Sequence, residues 1–214
     1  MAQSTVATYL LERLKQAGLR HAFGVPGDYA LTFMDRLIDS GIEFVGTCNE
    51  LNAGYAADAY ARINGIGCIC VTWGVGGFSA MNAIAGAYAE QVPVVVLVGG
   101  PRTTQRRSSM LLHHSVGDFA TMQQAYAHIT AASVLLDDPA EAPERIDRAL
   151  ARCMAEKRPI MIEILRHKGL VKVAEEKVYV TDLKGPLEDG WQAKVDAFAD
   201  AIAAMDHTGT AKAS

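Results

Sequence analysis

Glu50 occupies a position at which a carboxylate could do chemistry. It lies where an apolar run, residues 42–48, gives way to a helix-like stretch, residues 51–62. A carboxylate at the carboxyl end of a buried strand lies at the edge where open α/β sheets bind ligands. The alternative is that Glu50 is an acid in the first turn of a helix, where the helix dipole favours negative charge. This segment alone leaves both interpretations open.

Asp28 is a second carboxylate placed directly after a predicted strand. It closes the turn Gly24-Val25-Pro26-Gly27-Asp28, in which glycine and proline favour a tight bend. In a parallel sheet this turn would face the same edge as Glu50. Asp28 could instead cap the helix that follows.

Two adjacent histidines, His113 and His114, lie in a loop after the fourth predicted strand. Imidazole changes its charge near neutral pH, so the pair suits proton transfer. The two could also ligate a metal, but no third ligand lies at a useful spacing, and we predict no metal on this chain. Two loop histidines without a function are the alternative. The preceding residues Arg102, Arg106 and Arg107 either draw an anionic substrate inward or belong to the solvated surface.

The run Gly74-Val75-Gly76-Gly77 lies at the turn between the third predicted strand and the next helix. Glycines at such a turn allow the backbone to approach a ligand closely. The run matches neither the six-residue dinucleotide fingerprint nor a phosphate loop. It is therefore weak evidence for a ligand, and it gives no sign of a diphosphate site.

The elements that must position these residues alternate between apolar segments of strand length and amphipathic helical segments. Strands are predicted over residues 21–25, 42–48, 68–73, 94–98, 132–136 and 159–165, and helices over residues 5–16, 29–40, 51–63, 78–90, 119–128 and 139–156. Residues 94–98 form a continuous run of Val and Leu, which indicates burial on both faces of a parallel sheet. The pattern predicts an α/β fold with a doubly wound, mostly parallel sheet and helices on both faces.

The pattern also predicts where the domain ends. We expect one domain over residues 1–166, a linker-like arm over 167–190, a helix over 191–205 and a disordered tail over 206–214. The predicted helix has one apolar face, which must cover something on this chain or on a partner.

The composition argues against several classes of protein. The net charge of −4 gives no reason to expect a nucleic acid or membrane partner. No apolar run approaches the roughly 20 residues of a membrane span, and the N-terminus does not read as a secretory signal. The four cysteines, at positions 48, 68, 70 and 153, lie in apolar segments without a Cys-x-x-Cys pair. They predict buried, reduced thiols in a cytoplasmic protein.

Together these motifs resemble the N-terminal, pyrimidine-binding domain of thiamine diphosphate-dependent 2-oxo acid decarboxylases, the pyruvate and indolepyruvate decarboxylase family. The resemblance covers about residues 5–165. It rests on Val25-Pro26-Gly27-Asp28, on Glu50 within Cys-Asn-Glu-Leu-Asn-Ala-Gly-Tyr, on Gly74-Val75-Gly76 followed by Ser-Ala-Met-Asn, and on Leu112-His113-His114. The Glu50 context is common to the superfamily, whereas Asp28 with the histidine pair points to the decarboxylase branch.

The resemblance implies a role for each matching residue. Glu50 would bond the pyrimidine ring nitrogen of the cofactor and favour the tautomer that activates it. Asp28, His113 and His114 would be catalytic proton-transfer groups, and Asp28 and His114 would also contact the substrate. The cofactor-binding positions that it implies are Pro26, Glu50, Thr72, Gly74, Val75, Gly76 and Asn82.

The sequence also departs from the family. Gly77-Phe78 stands where many relatives have Glu-Leu or Ala-Leu, and no Gly-Asp-Gly signature for diphosphate and magnesium occurs. We therefore expect Mg²⁺ and the diphosphate on a separate domain or subunit, within a homo- or hetero-oligomer. The expected function is the pyrimidine-binding part of an enzyme that converts a 2-oxo acid to an aldehyde and CO2. The alternatives are a non-catalytic binding or regulatory module, or part of an acetolactate synthase-like carboligase.

Overall fold

A computed structural model describes residues 5–106 and 112–165. The strands are β1 (His21–Gly24), β2 (Glu43–Gly46), β3 (Gly67–Thr72), β4 (Val94–Gly100), β5 (Ala132–Leu136) and β6 (Ile160–Leu165). The helices are α1 (Val6–Gln16), α2 (Leu31–Asp39), α3 (Glu50–Asn64), α4 (Val75–Ala89), α5 (Thr103–Arg106), α6 (Thr121–Ala127) and α7 (Ala142–Glu156). The arm, helix and tail predicted for residues 167–214 lie outside the described residues.

The six strands form one sheet in the order β2-β1-β3-β4-β6-β5, and every neighbouring pair is parallel. One face packs on α1, α2 and α7 through a core that includes Leu14, Leu37 and Ile146. The other face packs on α3, α4 and α6 through a core that includes Ile84 and Tyr126. The prediction of a parallel sheet covered on both faces is confirmed.

The order of the strands reverses between β1 and β3. The chain leaves β1 in one direction to form β2 and returns on the opposite side of β1 to form β3. In open α/β sheets ligands bind at the carboxyl ends of the strands beside such a reversal. The topology therefore directs attention to the residues that follow β1 and β3.

The second strand differs from its prediction. β2 covers Glu43–Gly46 rather than residues 42–48, and it lies at the edge of the sheet, where its residues are partly or fully exposed. Cys48, just beyond the strand, is exposed, whereas Cys68, Cys70 and Cys153 are buried free thiols. The prediction of burial is therefore wrong for Cys48, because an apolar run does not reveal how many neighbours its strand will have.

Two further elements differ from the sequence prediction. α4 begins at Val75, so Gly76 and Gly77 belong to its first turn rather than to the turn before it. A short helix, α5, occupies part of the loop predicted over residues 102–109. None of the helices in the described ranges is long and apolar enough to cross a membrane.

The close packing of α3 on α4 yields a prediction about stability. A Cβ at Gly54 of α3 would lie 2.5 Å from Ala83 Cβ of α4, whereas a Cβ at Gly86 of α4 would meet nothing within 4 Å. We expect Gly54→Ala to lower the free energy of unfolding by about 1–3 kcal/mol because it overpacks the contact. The matched control Gly86→Ala should raise it by about 0.5–1 kcal/mol. Urea denaturation measures both, and equal values would contradict the contact.

Candidate functional site

Four segments carry the predicted site residues to the carboxyl edge of the sheet. Residues 26–28 follow β1, Glu50 opens the helix after β2, residues 72–76 join β3 to α4, and His113-His114 follow β4 and α5. Because the strands are parallel, all four segments emerge at the same edge.

Thr72, the last residue of β3, joins two of these segments to Glu50. An ideal Cβ at Gly27 would lie 2.5 Å from Thr72 Cβ. An ideal Cβ at Gly76 would lie 2.9 Å from Thr72 Cγ2 and 3.1 Å from Glu50 Oε1. Because Gly27 and Gly76 have no side chain, the turn after β1 and the first turn of α4 can both lie against Thr72. Gly76 also lies beside the Glu50 carboxylate.

Glu50 is the first residue of α3 and is half-buried. The capping bond of that helix comes from Asn49, whose Oδ1 accepts from the Asn52 N–H at 2.9 Å. Among the described residues the Glu50 carboxylate has no hydrogen-bond or ion-pair partner. Glu50 is thus an acid in the first turn of a helix, which was one of the two interpretations. Its carboxylate is also available to a ligand beside Gly76, which was the other.

Asp28 contacts His113 rather than capping a helix. α2 has Ala30 at its N-cap position, without a side-chain capping bond. His113 Nε2 and Asp28 Oδ2 form a short hydrogen bond between residues 85 positions apart. Since two acceptors do not bond each other, a proton lies between the imidazole and the carboxylate. The capping alternative for Asp28 is wrong, and the pair holds a transferable proton at the sheet edge.

Tyr29, which was not among the residues predicted from the sequence, packs against His113. The two rings stack with centroids 4.9 Å apart. The Tyr29 hydroxyl donates to His113 O at 3.3 Å and also lies 3.3 Å from His113 Nδ1. Burial and the neighbouring Asp28 charge raise the pKa of Tyr29, so its hydroxyl keeps its proton at neutral pH. The only sequence signal was its position next to Asp28.

The main chain of His114 contacts the turn between β3 and α4. Gly74 has a φ of 73°, and a Cβ there would lie 2.4 Å from His114 O. Only glycine accommodates both the left-handed backbone and this close approach. The rings of His114 and His113 meet edge to face at 4.6 Å. The histidine pair is therefore part of the site rather than a pair of isolated loop residues.

Asp28, His113 and His114 bring their ligand atoms within 4.8 Å of one another. A third possible ligand therefore lies beside the histidines although none is near them in the sequence, because the fold supplies Asp28. Two imidazoles and a carboxylate form a set that Zn²⁺ accepts. The absence of a metal from this chain stays a prediction.

Three buried polar atoms at the site have no hydrogen-bond partner among the described residues: Thr72 Oγ1, Trp73 Nε1 and His114 Nδ1. Buried polar atoms in proteins are seldom left without a partner. The Glu50 carboxylate, which also has no partner in the described ranges, and the bare backbone at Gly76 add further hydrogen-bonding groups beside them. The residues present therefore fit a heterocycle with ring nitrogens.

One predicted cofactor contact, Asn82, lies apart from this cluster. Asn82 lies six positions after Gly76, about 9 Å further along α4. Its side-chain amide donates to the Tyr55 hydroxyl of α3 at 3.0 Å. Val75, at the start of α4, is 48% exposed. The structure thus brings Glu50, Thr72 and Gly76 together, but not Asn82.

The arginine loop also differs from its prediction. The side chain of Arg106 is only 12% exposed and faces Glu163, so it does not belong to the solvated surface. Arg107 lies outside the described residues. The buried Glu163 was not singled out in the sequence, although a charged residue inside the apolar strand Ile160–Leu165 was a signal that could have found it.

Comparison with known proteins gives a consistent result. The family model described as "Thiamine pyrophosphate enzyme, N-terminal TPP binding domain" matches residues 4–126, more than half of the chain. The chain is 50% identical over 161 residues to a pyruvate decarboxylase of Aspergillus parasiticus, covering 74% of this chain and 28% of the relative. It is 44% identical over 187 residues to a pyruvate decarboxylase of Aspergillus fumigatus, covering 86% and 33%. With pyruvate decarboxylase 4 of Arabidopsis thaliana it shares 43% identity over 166 residues, covering 76% and 28%. The matches thus span about a third or less of each relative's length.

Proposed function

The chain belongs to the thiamine pyrophosphate enzyme family, whose N-terminal TPP-binding domain it matches, and from this premise we propose that it forms the pyrimidine-binding part of a thiamine diphosphate-dependent 2-oxo acid decarboxylase. The predicted family is confirmed by the match. The activity is a proposal, supported by relatives that are named pyruvate decarboxylases and by the geometry at the sheet edge.

The observation that carries the proposal is the Glu50 carboxylate, which has no partner in the described part of the chain and lies against the bare backbone of Gly76. A carboxylate in this position would bond a ring nitrogen of the pyrimidine and hold a proton there. Thr72 and the backbone of Gly74, Val75 and Gly76 would line the same ring. These contacts would fix the orientation of the heterocycle, which is the part of cofactor chemistry that a protein supplies.

When bound, thiamine diphosphate supplies the carbon nucleophile that adds to the 2-oxo carbon and takes up the electron pair left when CO2 departs. A proton must then reach the substrate-derived carbon before the aldehyde can leave. The Asp28–His113 pair shares a proton between its own two atoms and would deliver it. His114 packs against His113 and would contact the substrate beside Asp28.

We further propose that the diphosphate and Mg²⁺ bind to a separate domain or subunit within an oligomer. The segment shared with this chain covers 28%, 33% and 28% of the three relatives, so most of each relative lies outside it. A cytoplasmic location is part of the same proposal. It is supported by three buried free thiols, since burial raises the pKa of both Cys70 and Cys153 to about 12 and keeps them protonated.

The direct test compares the chain alone with the chain plus a diphosphate-binding domain. We expect the purified chain to release no CO2 from 2-oxo acids of different side-chain size and to bind thiamine diphosphate weakly in calorimetry, because the diphosphate supplies much of the affinity. Adding the diphosphate-binding domain of a related decarboxylase with Mg²⁺ should produce activity.

Three outcomes would contradict parts of this proposal. Efficient CO2 release or tight cofactor binding by the chain alone would remove the need for a second domain. Cofactor binding without CO2 release in a correctly assembled complex would favour a non-catalytic module. Carbon–carbon bond formation as the main reaction would favour a carboligase.

A further inference from the structure

Arg106 and Glu163 form a buried pair that no step of the proposed function uses. Glu163 in β6 is fully buried, and Arg106 Nη1 lies 3.4 Å from its Oε1. Arg106 Nη1 and both carboxylate oxygens make no hydrogen bond among the described residues. Burying two charges costs free energy that their mutual attraction often fails to recover. The pair therefore calls for an explanation other than the stability of the sheet.

Within the described part of the chain, Arg106 is the charged residue that acts on Glu163. Alternation along β6 places Glu163 on the same face as Met161, which packs with α3, α4 and α6. β4, β5 and α6 contain no charged residue, and the buried side chains of α7 are apolar. A Cβ at Gly100 would lie 2.9 Å from Glu163 Oε1, so the carboxylate lies at the end of β4.

Arg106 also holds the segment that follows the histidine pair. Its Nη2 donates to Phe119 O at 2.8 Å, and its guanidinium carbon lies 5.5 Å from the centroid of the Phe119 ring. Phe119 comes five positions after His114. The guanidinium is thus bound to the carboxylate on one side and to the main chain of the histidine segment on the other.

Aromatic contacts continue from Phe119 to the catalytic candidates. The Phe119 ring stacks on Trp73 at 5.4 Å. Trp73 meets Tyr29 edge to face at 6.0 Å, and Tyr29 stacks on His113. A displacement of Phe119 would therefore be transmitted through packed rings to the imidazole that bonds Asp28.

We propose that Arg106 and Glu163 are positioning residues that hold residues 112–119 so that His113 remains on Tyr29 and Asp28. Two attachments fix this segment: the contact of His114 with Gly74 at one end and the bond from Arg106 to Phe119 at the other. That Arg106 and Glu163 hold this segment follows from the geometry alone. That they thereby affect catalysis rests on the proposed function. Burial raises the pKa of Glu163, and the charge of Arg106 partly opposes that rise.

The test follows the histidine rings by NMR in the full chain, where no activity is needed. Arg106→Met keeps an apolar chain against Phe119 but removes the donor and the charge, and Glu163→Gln keeps the volume of the carboxylate. In the wild type the His113 ring stacks on Tyr29, which shifts its resonances. In both variants we expect these resonances to move towards the values of the exposed His128. Arg148→Met, on an exposed face of α7, is the matched control and should leave them unchanged.

The assembled enzyme supplies the second readout. We expect Arg106→Met to lower kcat by about tenfold to a hundredfold, the cost of a small displacement of a catalytic group. The KM for the cofactor should not change, because Glu50 and Gly76 are untouched. Arg106→Lys should recover part of the rate, since it restores a charge beside Glu163. The double variant Arg106→Met/Glu163→Gln should lose no more than Arg106→Met alone if the two act as a unit.

Unchanged His113 resonances in a folded Arg106→Met or Glu163→Gln chain would overturn the proposal, as would an equal loss of kcat in Arg148→Met. If Arg106→Met does not fold, Glu163→Gln decides by the same readout. If the resonances move but the wild-type assembly releases no CO2, the proposed function fails and the positioning role stands.

Discussion

Replacing Glu50 with glutamine in the assembled enzyme is expected to lower kcat by about 10²- to 10⁴-fold, the range for removal of an acid–base group. Glutamine has nearly the same volume but cannot hold a negative charge or exchange a proton with a ring nitrogen. The fold should remain, because Asn49 rather than Glu50 caps α3 and the carboxylate has no partner among the described residues.

Glu144→Gln is the matched control for this change. Glu144 also lies in the first turn of a helix, α7, and its side chain is 80% exposed. Both substitutions remove an acid that the helix dipole favours, which costs about 0.3–1 kcal/mol. Steady-state kinetics and thermal unfolding should therefore show similar small losses of stability but a loss of rate in Glu50→Gln alone. Wild-type turnover in that variant would refute the role of Glu50.

Asp28→Asn is expected to produce a different defect of similar size. An asparagine amide can still bond His113, but it cannot share the proton that now lies between the imidazole and the carboxylate. In the proposed function that proton is needed only after CO2 has departed. We therefore expect CO2 release in the first turnover to be affected much less than steady-state aldehyde release, which should fall about 10²- to 10⁴-fold.

Rapid-quench measurement of CO2 and aldehyde in one experiment separates these steps. Asp35→Asn, an exposed residue of α2, is the matched control and should behave like the wild type. An equal loss in the first turnover and the steady state would show that Asp28 acts before CO2 leaves, and the proposed order of roles would be wrong.

The fold was predictable where one sequence pattern had one structural meaning. The continuous run in residues 94–98 required burial on both faces, and β4 is fully buried in the centre of the sheet. The similar run in residues 42–48 did not reveal that β2 would have a single neighbouring strand. Local hydrophobicity does not encode how many strands lie beside a segment, and for that reason the exposure of Cys48 was missed.

The site was predictable in its residues rather than in its contacts. Position after a strand identified Glu50 and Asp28, but no spacing in the sequence reveals that Asp28 meets His113 from 85 positions away. Tyr29 and Phe119 act through ring packing, which leaves no signature in a single sequence. Neither alternative for Arg106, attraction of a substrate or a place on the solvated surface, included an ion pair, because its partner Glu163 belongs to a strand much later in the chain.

The contact between Asp28 and His113 has a consequence for how the molecule acquires activity. A pair so distant in sequence cannot form in a partly folded chain without an entropic penalty for closing the intervening loop. We therefore expect it to form only after β1, β3 and β4 have paired in register. In refolding, recovery of the His113 ring signal should therefore lag behind recovery of helix content, which makes the histidine a probe of the last steps of assembly.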